Sequence, residues 1–163
     1  MKLRDATYVV GGYVVEGGRV LLLWHADLGG WVPPRGRIEL VAGEYPHEAV
    51  VREVEEECGL QIRICATDSA GVSDSAVSSL PMPAAIQEIR LDNGARYMDF
   101  VFYCDVVGGN LALDYNEARA YHWFTEEDTA RFPLLPHVRE HALRALKVIG
   151  AHRPAAVASA EPV

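Results

Sequence analysis

Hydrophobic and polar positions along the 163-residue chain fall into short, separable runs. Residues 8–15 and 19–24 are apolar runs on either side of Glu16-Gly17-Gly18, which predicts two strands joined by a hairpin turn. Residues 27–30 read as a loop, and residues 31–39, with two prolines, as a short extended segment. From Pro46 to Cys58 the period changes. Ala49, Val50, Val54 and Cys58 recur at helical spacing. Pro46 suits a first helical turn, and Gly59 suits the left-handed stop after the last one. Beyond it, residues 61–70 read as a strand, and residues 71–83, rich in Ser, Pro and small side chains, as a flexible surface loop of a length that often serves function. Residues 84–91 and 96–107 read as strands turning at Asp92-Asn93-Gly94, and residues 117–125 as a further strand. Thr125 is placed to cap a short helix over residues 126–130, and Val138, Ala142, Ala145, Leu146 and Ile149 mark an amphipathic helix over 136–149. Residues 151–163, rich in Ala, Pro and Ser, read as a disordered tail behind a single domain spanning 1–150. Strands interspersed with two long helices predict an α/β fold in which a mixed sheet is covered on both faces.

The polar side of the 46–58 helix carries the chemistry. Six glutamates and one arginine lie between Glu44 and Glu57. Like charges at helical spacing repel, and basic partners one turn away are scarce, so the cluster points to a cation rather than to a merely solvated acidic face. Glu53 is three residues from Glu56 and four from Glu57, which places all three carboxylates on one side of the helix. Oxygen-only ligands suit Mg²⁺ or Mn²⁺ rather than zinc. Mg²⁺ takes one or two carboxylates, keeps several waters and binds substrate phosphates with what remains. Arg52 lies one turn before Glu56, close enough to orient it.

Composition narrows the partners. A formal net charge of −8 argues against general binding to nucleic-acid phosphates, but says less about one small phosphorylated substrate, because a bound metal inverts the local field. Cys58, Cys65 and Cys104 show no metal-ligand spacing and read as buried free thiols, which fits a reducing cytoplasm. The apolar run around Gly11-Gly12 is too short to span a membrane. Arg35, Arg37 and Arg96 are candidate phosphate clamps, Glu39 a candidate substrate or metal contact, and Trp31 and Tyr97 candidate base-stacking groups. His137 and His141, four apart on the last helix, lack a third ligand and read as ordinary helix residues.

The acidic helix closely resembles the Nudix box: Gly, five residues, Glu, seven residues, then Arg-Glu-aliphatic-x-Glu-Glu-x-Gly-aliphatic. Glu44, seven residues, and Arg52-Glu53-Val54-x-Glu56-Glu57-x-Gly59-Leu60 match every specified position. Gly36 is the counterpart of the first glycine, but seven residues separate it from Glu44, which implies a two-residue insertion near Leu40–Ala42. Pro34-Arg35-Gly36 also stands where Pro-Gly-Gly is more usual in the family. The likeness extends over residues 5–149, through the first hairpin, the strand from Asp99, and Glu117 ahead of Trp123-Phe124. It implies a Nudix-type α/β/α sandwich of the MutT-like kind.

The resemblance also implies metal ligation by Glu53, Glu56 and Glu57, with help from Glu44, the Gly43 carbonyl and Glu117. It implies a water-activating glutamate that is Glu56, Glu57 or Glu117, and an orienting role for Arg52. The expected activity is Mg²⁺-dependent (or Mn²⁺-dependent) hydrolysis of a pyrophosphate bond in a nucleoside diphosphate linked to another moiety, of the ADP-ribose or nucleotide-sugar type. MutT-like hydrolysis of nucleoside triphosphates is the alternative, because the proline expected in ADP-ribose enzymes is missing. A non-catalytic nucleotide-binding module is a second alternative, although such modules commonly lose box glutamates that are all kept here. Many members form homodimers.

Overall fold

β1 (Thr7–Glu16) and β7 (Arg96–Gly109) run parallel through the middle of one mixed sheet, in register from Thr7 opposite Tyr97 to Val15 opposite Asp105. The computed structural model describes residues 7–65 and 71–152. Outward from β1 lie β2 (Arg19–His25) and β3 (Gly30–Val32), and outward from β7 lies β5 (Leu60–Ile64). β4 (Arg35–Arg37) pairs with the first half of β1, β6 (Ala85–Arg90) with the first half of β7, and β8 (Ala120–Phe124) with β2.

Alternation along the two central strands builds two cores. Val10 and Val14, with Phe102 and Cys104, face α1 (Pro46–Cys58) and its Ala49, Val50, Val54 and Cys58. Tyr13 and Val15, with Val101 and Tyr103, face α3 (Pro136–His152) and its Val138, Ala142, Ala145 and Ile149. A strand covered on both sides must be apolar on both sides, which is why β1 reads as an unbroken hydrophobic run. Gly12 sits under α1, where an added Cβ would lie 2.9 Å from Val50 and 3.1 Å from Val54, so its missing side chain sets how closely helix and sheet approach.

α1 takes the predicted bounds. Glu48 reaches back to accept the Tyr45 N–H at 2.9 Å, and Gly59 turns left-handed (φ 69°) while donating to the Glu55 carbonyl at 2.8 Å. Thr125 caps α2 (Glu126–Arg131) as expected, accepting the Asp128 N–H. The expected strand over 61–70 ends at Ile64, and residues 66–70 lie outside the described residues. The strand expected to start at Glu117 begins only at Ala120, because Asp114 folds the chain into a turn: Asp114 Oδ1 accepts the Asn116 N–H, and its carbonyl accepts the N–H groups of Glu117 and Ala118. α3 continues to His152, two residues into the expected tail, and residues 153–163 lie outside the described residues. Among the described residues no helix is long and apolar enough to cross a membrane.

Candidate metal and substrate site

α1 aims its carboxylates at β4. Glu57 is only 3% exposed, with Oε2 accepting the Arg35 backbone N–H at 3.3 Å and Oε1 buried without a partner among the described residues. Burial pushes its pKa up to about 8; the Arg35 N–H opposes this, and the charges of Glu53 and Glu117 reinforce it. Glu53, one turn earlier, packs against Gly36 so closely that an added Cβ would overlap its carboxylate. Its pKa is also raised, first by burial, against the opposing hydrogen bond from Arg52.

The three carboxylates expected on one side of the helix are in fact divided. Relative to Glu53, a residue three on is rotated ~60° one way and a residue four on ~40° the other. Glu57 therefore turns into the protein while the Glu56 side chain stays 60% exposed.

Arg52 is the hub of the cluster. Its Nε donates to Glu44 at 2.7 Å, its Nη1 to Glu53 at 2.8 Å and Glu56 at 3.0 Å, and its Nη2 to the Arg37 carbonyl at 3.0 Å. These hydrogen bonds, that to Glu44 foremost, hold the Arg52 pKa even higher than usual and the Glu44 pKa below its usual value. Glu44 also accepts the Glu39 N–H at 2.8 Å, so Glu39 serves the site through its main chain. Between them the extra residues form a 3₁₀ turn, Leu40–Ala42, ended by Gly43 at φ 77°. Because the Glu44 N–H returns to the Glu39 carbonyl at 3.3 Å, the insertion closes on itself and leaves Glu44 on Arg52.

Glu117 reaches the site through the far end of α1. Ala112 and Asp114 donate to the last helical carbonyls, those of Cys58 and Glu57, at 2.8 and 2.9 Å. This anchors the turn bearing Glu117, whose charge is felt by both Glu53 and Glu57. The side chain of Glu117 is exposed.

On the opposite face of the sheet, a cleft of about 210 Å³ is lined by Val9, His25, Asp27, Leu28, Arg35, Gly36, Arg37, Ile89, Leu91 and Tyr97. Arg37 and Tyr97, the candidate phosphate clamp and the candidate stacking group, both line it. Arg96 does not line it and is instead paired with Glu88 across the β6–β7 hairpin. Trp31 joins an aromatic cluster with Trp24, Phe124 and Phe132.

Sequence reasoning missed a buried polar chain beside this cleft. Gln87 donates to Asp99 at 2.9 Å, and His141 bridges Gln87 (3.1 Å) and Tyr103 (2.9 Å). His141 is therefore not an ordinary helix residue: it is 6% exposed, and burial lowers its pKa. The available signal was a lone aspartate opening the apolar strand Asp99-Phe100-Val101-Phe102-Tyr103.

The carboxylate set fits a hard divalent cation on two counts. Its donors are oxygens, and Glu57 Oε1 is a buried acceptor with no donor among the described residues. Among the described residues the carboxylates do not converge on one point, since Glu44, Glu53 and Glu56 are each drawn to Arg52.

The NUDIX domain profile matches residues 5–146. A Streptomyces ambofaciens protein named MutT-like protein is 29% identical over 147 residues, covering 82% of this chain and 81% of its own length. A Caenorhabditis elegans protein named putative nudix hydrolase 1 is 32% identical over 101 residues, or 61% of this chain; the match spans only 22% of that longer protein. The crystal structure of a NUDIX-family hydrolase from Clostridium perfringens superposes with a TM-score of 0.77 at 22% identity, covering 90% of this chain and 99% of its own.

Proposed function

The chain belongs to the NUDIX family, and we propose that it is a divalent-metal-dependent hydrolase cleaving a pyrophosphate bond in a nucleoside diphosphate linked to a second moiety, of the ADP-ribose or nucleotide-sugar type. The observation that carries this reading is Glu57: a buried carboxylate with one oxygen that has no partner among the described residues, one helical turn from Glu53, whose carboxylate fills the space over Gly36.

Glu53 and Glu57 would hold Mg²⁺ or Mn²⁺, with Glu56, Glu44 and the Gly43 carbonyl as further oxygens. A bound metal neutralises phosphate oxygens and lowers the pKa of a water. The rest falls to the chain. Arg52 keeps Glu44, Glu53 and Glu56 in place. Water attacks phosphorus, the bridging phosphoanhydride bond breaks, and a carboxylate accepts the water's proton. Glu57 is the least suited to that proton, because its ionised form depends on a cation beside it. The exposed carboxylates flanking it, Glu56 and Glu117, are the acceptors to compare. Arg37 and Arg35, on the cleft wall, meet the phosphates, and the apolar lining takes the base.

The similarity to a MutT-like protein supports a second reading, hydrolysis of a nucleoside triphosphate. Incubating the purified chain with ADP-ribose, nucleotide sugars and nucleoside triphosphates, with and without Mg²⁺ or Mn²⁺, and following products by ³¹P NMR separates the two. Nucleoside monophosphate plus a phosphorylated second moiety supports the first reading. Pyrophosphate release supports the second. Binding without turnover under either metal means a nucleotide-binding module.

A further inference from the structure

The cleft lies where the sheet divides. β2 pairs with β1 only where Val20 and Arg19 face Val15 and Glu16. Beyond that point β3 takes the edge of β2, from Leu23 opposite Val32 to His25 opposite Gly30. β4 takes the edge of β1, from Gly11 opposite Arg35 to Val9 opposite Arg37. The β2–β3 turn therefore stands on one side of β4, and β1, β7 and β6 follow in order on the other.

The lining of the cleft is graded along this same line. Tyr97 and Ile89, partners in register, and Leu91 make an apolar end on the β6–β7 hairpin. Arg35 and Arg37 stand on β4, two strand spacings or ~9–10 Å from β7. Asp27 and Leu28, on the β2–β3 turn, close the far end. Asp27 is exposed and open to a ligand in the cleft. Its turn is tight, since Gly29 adopts φ 62° and donates to the Ala26 carbonyl at 3.2 Å. Among the described residues Asp27 forms no ion pair with Arg35 or Arg37, although all three line one cleft, so both signs of charge are left for whatever enters.

Apolar, cationic, then anionic is the order in which a nucleobase, a diphosphate and a hydroxyl-bearing group would lie. A guanidinium suits phosphate. A carboxylate accepts from hydroxyls and repels a further phosphate. Resting on the reading of a nucleotide substrate, we propose that Asp27 determines what the protein takes beyond the diphosphate: its carboxylate accepts hydrogen bonds from the hydroxyls of a sugar and repels the terminal phosphate of a nucleoside triphosphate. Leu28 packs against the sugar's apolar face. Selection by an attraction and a built repulsion together is how one partner is chosen over a near relative. The carboxylates of α1 serve either substrate class, and Asp27 separates the two.

The test compares kcat/KM within pairs that share a nucleoside: ADP-ribose with ATP, and UDP-glucose with UTP. The unaltered protein should favour the sugar-bearing member by at least ~10-fold in whichever pair it hydrolyses. Asp27→Asn keeps a turn-forming residue of the same shape and should reduce that preference at least ~10-fold, mainly by raising turnover of the triphosphate. Glu16→Gln, at the far end of β1, removes the same charge and should leave the preference unchanged. A preference for the triphosphate in the unaltered protein, or an Asp27→Asn variant with its preference intact, overturns the proposal. If none of the four compounds is hydrolysed, the hydrolase reading fails separately, and calorimetric binding of ADP-ribose and ATP reads the role of Asp27. A gain of at least ~10-fold in ATP affinity relative to ADP-ribose on Asp27→Asn supports it, and an equal change in both ends it.

Discussion

Gly36 of β4 and the carboxylate of Glu53 on α1 occupy adjoining space so closely that no side chain fits at position 36 unless that carboxylate moves. The glycine is required here by contact rather than by backbone conformation, since its φ is not positive. Gly36→Ala must push the Glu53 carboxylate off Arg52 or away from β4. A displacement of about 1 Å at a positioning group costs ~100-fold in rate, and kcat should fall by about that much with the circular dichroism spectrum unchanged. Gly30→Ala, where an added Cβ meets nothing within 4 Å, is the control and should leave kcat near its starting value.

Glu57 gives the metal-free protein a definite pH dependence. Its folded pKa of about 8 lies above the ordinary 4.5, so between those values the folded chain holds a proton that the unfolded chain has lost. Stability contributed by this group is complete at low pH and falls as pH rises through about 8. At ~1.4 kcal/mol per unit, the loss is on the order of a few kcal/mol. Urea denaturation in EDTA at pH 5.5 and 8.5 should show it, and Glu57→Gln should flatten the slope and stabilise the protein at the higher pH. An unchanged slope in the variant would locate the pH dependence elsewhere.

The helix that carries these carboxylates was legible because its punctuation is local. Pro46, Gly59 and the apolar spacing of Ala49, Val50, Val54 and Cys58 fix both ends and the buried side. The division of its glutamates was less legible, since whether Glu56 or Glu57 turns inward depends on where β4 crosses the helix. Glu117 was assigned to the site but to the wrong element, because the Asp114 turn competes locally with strand propensity. The polar chain of Asp99, Gln87 and His141 had no local signature. Gln87 and His141 are 54 positions apart, and they meet only once β6 has paired with β7 and α3 has packed on the sheet face that Gln87 and Asp99 share.

The two exposed carboxylates beside Glu57 are separable by kinetics. If Glu117 accepts the water's proton, Glu117→Gln should lower kcat by ~10²–10⁴-fold and remove the acidic limb of the pH–rate profile. Glu56→Gln should then cost less and keep that limb. The reverse pattern assigns the proton to Glu56. Glu53→Gln and Glu57→Gln should both lower kcat and weaken Mn²⁺ binding, a second readout that the true proton acceptor need not share.

Arg52 cannot be exchanged for lysine without loss. One guanidinium meets Glu44, Glu53, Glu56 and the Arg37 carbonyl at once, through three nitrogens pointing in different directions. An ammonium is a single point and cannot reproduce that fork. The bond to Glu56 spans an exposed pair and is worth little, whereas Glu44 and Glu53 are only 13% and 14% exposed and depend on their partner. Arg52→Lys should therefore destabilise the metal-free protein by about 1–3 kcal/mol, and kcat should fall with it, because Glu44 is freed from the neck of the Leu40–Ala42 turn. Thermal melts with and without Mg²⁺ check the electrostatic part: a divalent cation relieves the same repulsion, so the destabilisation should shrink when Mg²⁺ is added. A gap between the two proteins that is unchanged by Mg²⁺ would mean that Arg52 acts through packing alone.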